Sequence, residues 1–133
     1  MSKPRAKLLD RFPGCPVEAT LMYLDGKWKG VILYHLLDGT MRFNELRRKI
    51  PAVTQRMLTR QLRELEADGL ISRTIHPVVP PHVDYALTDI GRSLEPVLRS
   101  LAAWGDRHVF CAEGERILIS PKSVAKDQNS AIA

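Results

Sequence analysis

The sequence predicts a mainly α fold carrying one small β-hairpin. Apolar residues recur at helical spacing in four stretches up to Asp68, and two short alternating segments then follow, separated by a proline-rich bend. A last amphipathic stretch, from about Asp89 to His108, closes the order.

Pro16, ahead of Val17, Ala19, Leu21, Met22 and Leu24, reads as the first turn of a short helix that ends before Gly26. A second helix spans Lys27 to Leu37, with Trp28, Val31, Ile32, Leu36 and Leu37 facing the core and Asp38-Gly39 stopping it. After a brief extended piece, Met41 to Phe43, Asn44 is the expected cap of a third helix, Glu45 to Ile50, which Pro51 ends. Thr54 sits where the cap of the fourth belongs, and Gly69 closes that helix after Asp68. Leu70 to Ile75 and Val83 to Leu87 are the expected strands, with Pro77 to Pro81 between them. Thr88 is the expected cap of the last helix, in which Ile90, Leu94, Val97, Leu98, Leu101, Ala102 and Trp104 share one side and Pro96 is placed to bend it.

With 133 residues, 44% of them hydrophobic, the chain suits one compact core. Its longest apolar stretches fall well short of the roughly 20 residues of a membrane span, so no membrane-spanning segment is expected. Met1 to Phe12 contains no apolar secretory segment, and the expected location is the cytoplasm. A formal charge of +5 and a pI near 9.5 favour an anionic partner, nucleic acid first and an acidic membrane surface second. Residues 1–14 are expected to be an N-terminal arm, 15–110 the folded domain, and 111–133 an extension disordered in part.

The order of elements carries the functional argument. A helix-turn-helix needs a short support helix, a link of about three or four residues, and a second helix with an exposed face for the major groove. The third and fourth helices meet those needs, and the hairpin supplies a wing. At 100° per residue, Leu58, Leu62 and Leu65 gather on one side of the fourth helix, with Arg56, Arg60 and Arg63 facing away. Gln55 and Thr59 add donors and acceptors near its start. Arginine pairs with guanine and glutamine with adenine in bidentate fashion, each contact discriminating by about 1–3 kcal/mol. Thr54, Gln55, Arg56, Thr59, Arg60 and Arg63 are therefore the expected groove-facing set. Arg42, Asn44, Arg47 and Arg48 are expected around it, with Lys49 nearby, to hold phosphates; Arg73 and His76 on the hairpin would border the adjacent groove. Glu64 and Glu66 fall late in the helix, so its front is expected to be free of compensating charge. The alternative is a solvated basic face that pairs with the acids or with an acidic protein partner, making the fold an interaction module.

Cys15-Pro16-Val17, Gly26-Lys27-Trp28, Arg42-Phe43-Asn44-Glu45-Leu46, the run Thr54 to Glu66, Asp68-Gly69-Leu70-Ile71, Tyr85-Ala86-Leu87-Thr88 and Gly91 together make residues 15–109 resemble the HxlR-type winged helix-turn-helix regulators. The resemblance implies a repressor or activator that binds double-stranded DNA as a homodimer on a palindromic operator, with the first and last helices as the dimerisation helices. The same interface is expected from the residues, because the first helix is very small for a core element and the last has surplus apolar surface. Several HxlR-type proteins sense quinones, aldehydes or oxidants through a cysteine at the position that Cys15 matches. The resemblance thus implies thiol-based sensing by Cys15, with a small electrophile or oxidant as effector.

On chemical grounds Cys15 is two-sided: a helix start favours the thiolate, whereas Glu18 opposes it. A plain structural thiol and a small redox enzyme are the alternatives. Cys111 is the second cysteine, and no Cys-x-x-Cys spacing is present. His35, His76, His82 and His108 read as scattered single residues, so no metal is expected. No catalytic triad, phosphate loop or cofactor motif is found, and neither enzyme activity nor a cofactor is expected.

Overall fold

The computed structural model describes residues 14–110, so the expected arm, apart from Gly14, and the extension with Cys111 lie outside the described residues. The order is α1 (Pro16–Tyr23), α2 (Lys29–Leu36), β1 (Met41–Arg42), α3 (Phe43–Lys49), α4 (Gln55–Ala67), β2 (Ile71–His76), β3 (His82–Leu87), α5 (Asp89–Arg92) and α6 (Glu95–His108). The chain divides into two compact units between Glu95 and Pro96.

In the first unit the core is built by Ile32, Leu33, Leu36 and Leu37 of α2 and its end, Leu46 and Ile50 around α3, Val53 of the link, Leu58, Leu62 and Leu65 of α4, and Leu70-Ile71. Each burial of a leucine-sized side chain stabilises by about 1.5–3 kcal/mol, so this set fixes how α3 and α4 are held. By contrast α1 buries no residue fully, and Val17 and Leu21 stand exposed on it.

Three local expectations give way. The hairpin is part of a three-stranded antiparallel sheet of order β1-β3-β2, since Met41 and Arg42 pair with Tyr85 and Asp84. Two residues are enough because β3 offers a free edge there. Asn44 is not the cap of α3: Arg42 holds that position in extended conformation, and its N–H donates to Glu45 Oε1 at 2.7 Å, which satisfies one of the helix's open donors. The long last helix is two helices. Thr88 does cap, its hydroxyl accepting from the Gly91 N–H at 3.1 Å, but α5 stops at Arg92 and a new helix starts at Glu95. Pro96 has no N–H to return to the Arg92 carbonyl, so the helix breaks there instead of bending. Along α6, Leu98 is buried while Val97, Leu101 and Trp104 are exposed.

The end of α4 places the sheet. Gly69, at φ +81°, makes the left-handed turn, with Leu70 N–H bonding Leu65 O at 3.0 Å and Gly69 N–H bonding Glu66 O at 2.9 Å. Leu70 and Ile71 then enter the core as β2 begins. Gly91 lies so close behind Leu70 that a Cβ would collide with the Leu70 carbonyl oxygen. Among the described residues no helix is long and apolar enough to cross a membrane.

Candidate nucleic-acid interface

Between α3 and α4 the chain turns tightly. Ile50 N–H bonds Leu46 O, Val53 N–H bonds Ile50 O, and both apolar side chains are buried, which anchors the turn from inside. Thr54 then caps α4 as expected: its hydroxyl accepts from the Met57 N–H at 3.0 Å. The hydroxyl oxygen accepts in this cap, and its own O–H proton is not used in that bond.

From that start α4 turns its leucines in, with Leu58, Leu62 and Leu65 no more than 1% exposed. Gln55, Arg56, Thr59, Arg60 and Arg63 come together with Glu64 around one shallow, open depression on the other side. Arg56, Arg60 and Arg63 are exposed, as are Gln55 and, on the support side, Arg42, Asn44 and Arg48; Arg47 is half-buried. Arg47, Arg48 and Lys49 occupy the last turn of α3, where cations also suit the helix dipole.

The expectation of an uncompensated front does not hold throughout. Arg60 Nε lies 3.3 Å from Glu64 Oε2, an i,i+4 pair that the late position of Glu64 brings within reach. Glu64 is engaged on its other oxygen as well, at 2.7 Å from Lys29 Nζ. The Lys29 hydrogen bond, assisted by Arg60, holds the Glu64 carboxyl below its ordinary value of 4.5. Arg73, expected beside a groove, has Nε 3.3 Å from Glu66 Oε1, tying β2 to α4. Both are exposed or half-exposed pairs of the kind worth about 0–1 kcal/mol, so a phosphate can displace the carboxylate at small cost.

His76 on the hairpin is paired as well, with Nε2 at 2.8 Å from Asp84 Oδ2 on β3. It is not a solitary residue: His82 stacks on it, with ring centroids 4.6 Å apart. Of the expected single histidines, these two are neighbours because the sheet register sets them opposite each other.

Two residues of the site escaped the sequence reading. Lys29 is 1% exposed and joins Asp25 and Glu64, locking α2 to the middle of α4. Tyr85 lies between the wing and α4, where burial raises its phenol above 10.0 while Arg73 and Arg63 act to lower it. Lys29 looked like a surface lysine because Glu64 lies far along the chain on α4, and Tyr85 like any β3 residue.

Cys15 is exposed. It stands at the N-cap position of α1 in extended conformation, ahead of Pro16, and its carbonyl accepts from the Ala19 N–H at 3.0 Å. Glu18 is in the same first turn.

The comparisons with known proteins agree with this architecture. Residues 23–112 match the profile of the HxlR-like helix-turn-helix family. The HTH-type transcriptional regulator YdeP of Bacillus subtilis is 58% identical over 99 residues, covering 74% of this chain and 77% of YdeP. YybR of the same organism, also an HTH-type transcriptional regulator, is 50% identical over 115 residues, covering 86% of this chain and 89% of YybR. Among solved structures, the redox regulator HypR in its oxidised form superposes with a TM-score of 0.68 at 55% identity, over 71% of this chain and 97% of HypR. On this fold, this helix order and these matches, the chain belongs to the HxlR-like helix-turn-helix family of winged helix proteins.

Proposed function

We infer that this protein is a transcriptional regulator that binds double-stranded DNA, as a homodimer on an inverted repeat. The face of α4 carries the reading: Gln55, Arg56, Thr59, Arg60 and Arg63 open outward together, on a helix fixed by three buried leucines and a capped first turn. Thr54 contributes through the orientation it gives the helix start. Arg42, Asn44, Arg47 and Arg48 hold phosphates beside the groove, and Arg73 reaches the backbone from the wing once it leaves Glu66. Homodimerisation is supported separately on two helices. Val17 and Leu21 on α1 are 65% and 56% exposed, and Leu101 and Trp104 on α6 are 58% and 54% exposed. Apolar surface of that extent calls for cover. Two copies of α4 then enter major grooves about one helical turn apart, or a small multiple of it.

Selection from random duplex DNA tests the reading. A palindromic motif with two half-sites at such a spacing supports it, and recovery of sequence-blind binding alone, alongside tight binding of an acidic protein, turns it toward an interaction module.

A second reading joins the first at Cys15, whose exposure leaves the thiol open to small reagents. HypR, solved in both oxidised and reduced forms, is a redox regulator. Here Cys15 senses an electrophile or oxidant and changes DNA affinity. Diamide or a quinone added to wild type should shift the affinity, and Cys15→Ser should abolish the shift; an unshifted wild type removes the sensing role and leaves DNA binding intact.

A further inference from the structure

At the wing's outer end the register brings three metal-ligating side chains to one place. His76 and His82 are direct partners across β2 and β3, and Asp84 follows His82 by two residues. Side chains alternate faces along a strand, so all three stand on the same face of the sheet. Arg42 lies there also, since β1 pairs it with Asp84. One donor atom from each of His76, His82 and Asp84 falls within 4.8 Å of the others. In detail, His76 Nε2 is 2.8 Å from Asp84 Oδ2, and His82 Nε2 is 4.0 Å from Asp84 Oδ1. Donor atoms around one tetrahedral zinc, each about 2.0–2.2 Å from the ion, stand roughly 3.3 Å apart. Those two distances run to different oxygens of Asp84, and one donor atom from each residue lies within 4.8 Å of the others, so side-chain rotations must bring the set in to that spacing.

We propose that His76, His82 and Asp84 form a binding site for one divalent transition-metal ion of the zinc class. Two imidazoles and one carboxylate suit such an ion and suit the hard ions magnesium and calcium poorly. A fourth position stays open to water, because the three side chains are 24–39% exposed. Arg42 Nε, 4.0 Å from Asp84 Oδ1, orients the carboxylate from β1 and is the cation facing the cluster. The bound ion ties together the two strand ends that flank Pro77 to Pro81. Because it binds the folded hairpin and finds no such pairing in the unfolded chain, it raises the melting temperature by mass action. The site stands on the hairpin register alone and does not depend on DNA binding.

Cobalt(II) titrated into the full chain provides the probe. The expected result is one ion per chain with the visible absorption of a four- or five-coordinate site. His76→Gln, His82→Gln and Asp84→Asn should each weaken it by more than the roughly 10–100-fold typical of losing an outer-shell partner. Cys15→Ser should leave it unchanged, and zinc should raise the melting temperature of wild type but not of His82→Gln. Binding that survives Asp84→Asn and His82→Gln at full affinity, or that disappears with Cys15→Ser, overturns the proposal. If a variant does not fold, the wild-type protein decides by nitrogen-15 NMR: zinc must move the ring-nitrogen signals of His76 and His82 and spare His35, and the reverse pattern overturns the site.

Discussion

The Lys29 ammonium, 1% exposed, lies 2.7 Å from the Glu64 carboxylate, which Arg60 approaches from the opposite side at 3.3 Å. One acid therefore connects the buried floor of the domain to the exposed basic front of α4. Taking either partner away has unequal effects. Glu64→Gln leaves the buried ammonium paired with Asp25 and with only a neutral amide oxygen in place of the carboxylate, and should cost about 1.5–3 kcal/mol, the range for a hydrogen bond to a charged group. Lys29→Met keeps the stem's volume and leaves Glu64 with Arg60 and water, so it should cost clearly less. Urea denaturation of both variants gives the comparison, and a larger loss in Lys29→Met would refute this account of the pair.

Acid should act through the same carboxyl. Glu64 has its folded pKa depressed below 4.5, first by the Lys29 hydrogen bond. Its contribution is present above the unfolded value and disappears as pH falls through the folded one. His35 acts in a higher window. Burial, then the charge of Lys49, lowers its pKa from 6.5. The unfolded chain therefore takes up that proton first, and the stability from a neutral His35 is complete above 6.5 and declines as pH falls toward the folded value. His35→Gln should flatten the stability profile just below 6.5 and leave the Glu64 slope; an unaltered profile would place that slope elsewhere.

Gly91 should accept no side chain. A Cβ would meet the Leu70 carbonyl, and that oxygen also accepts from the Thr88 N–H at 3.1 Å, so the backbone on both sides must move. Gly91→Ala is expected to cost about 1–3 kcal/mol, the range for overpacking. Gly105→Ala, whose Cβ would meet open space, serves as the control in thermal denaturation.

The cap gives a milder change. Thr54→Ala removes the acceptor for the Met57 N–H and should cost about 1 kcal/mol. Thr54→Ser, which keeps an oxygen there, should recover most of it. Equal stability of all three proteins would mean that the cap contributes nothing.

How much of this was legible follows from the range of each interaction. Thr54, the Leu58-Leu62-Leu65 stripe and Gly69 all signal within a few residues of α4, so that helix and its inward face could be read directly. The pairing of β1 with β3 could not, because two residues have no period. Lys29 and Glu64 meet only through packing of α2 on α4. The Pro96 break was a matter of degree: the residue was visible, and the missing bond to Arg92 decided for a break over a bend. For the wing, ending the strands at Ile75 and Val83 left His76 and His82 in the loop. One more residue on each strand makes them partners across the ladder.

The groove-facing role of α4 is tested most directly by titrating the selected operator with wild type and with Arg56→Ala and Arg63→Ala over a range of salt. The account predicts a steep loss of affinity with salt, a log-log slope of about −0.9 for each phosphate neutralised. Each arginine variant should bind the operator more weakly while remaining folded. Wild-type affinity indifferent to salt, or folded variants that bind as tightly as wild type, would contradict it.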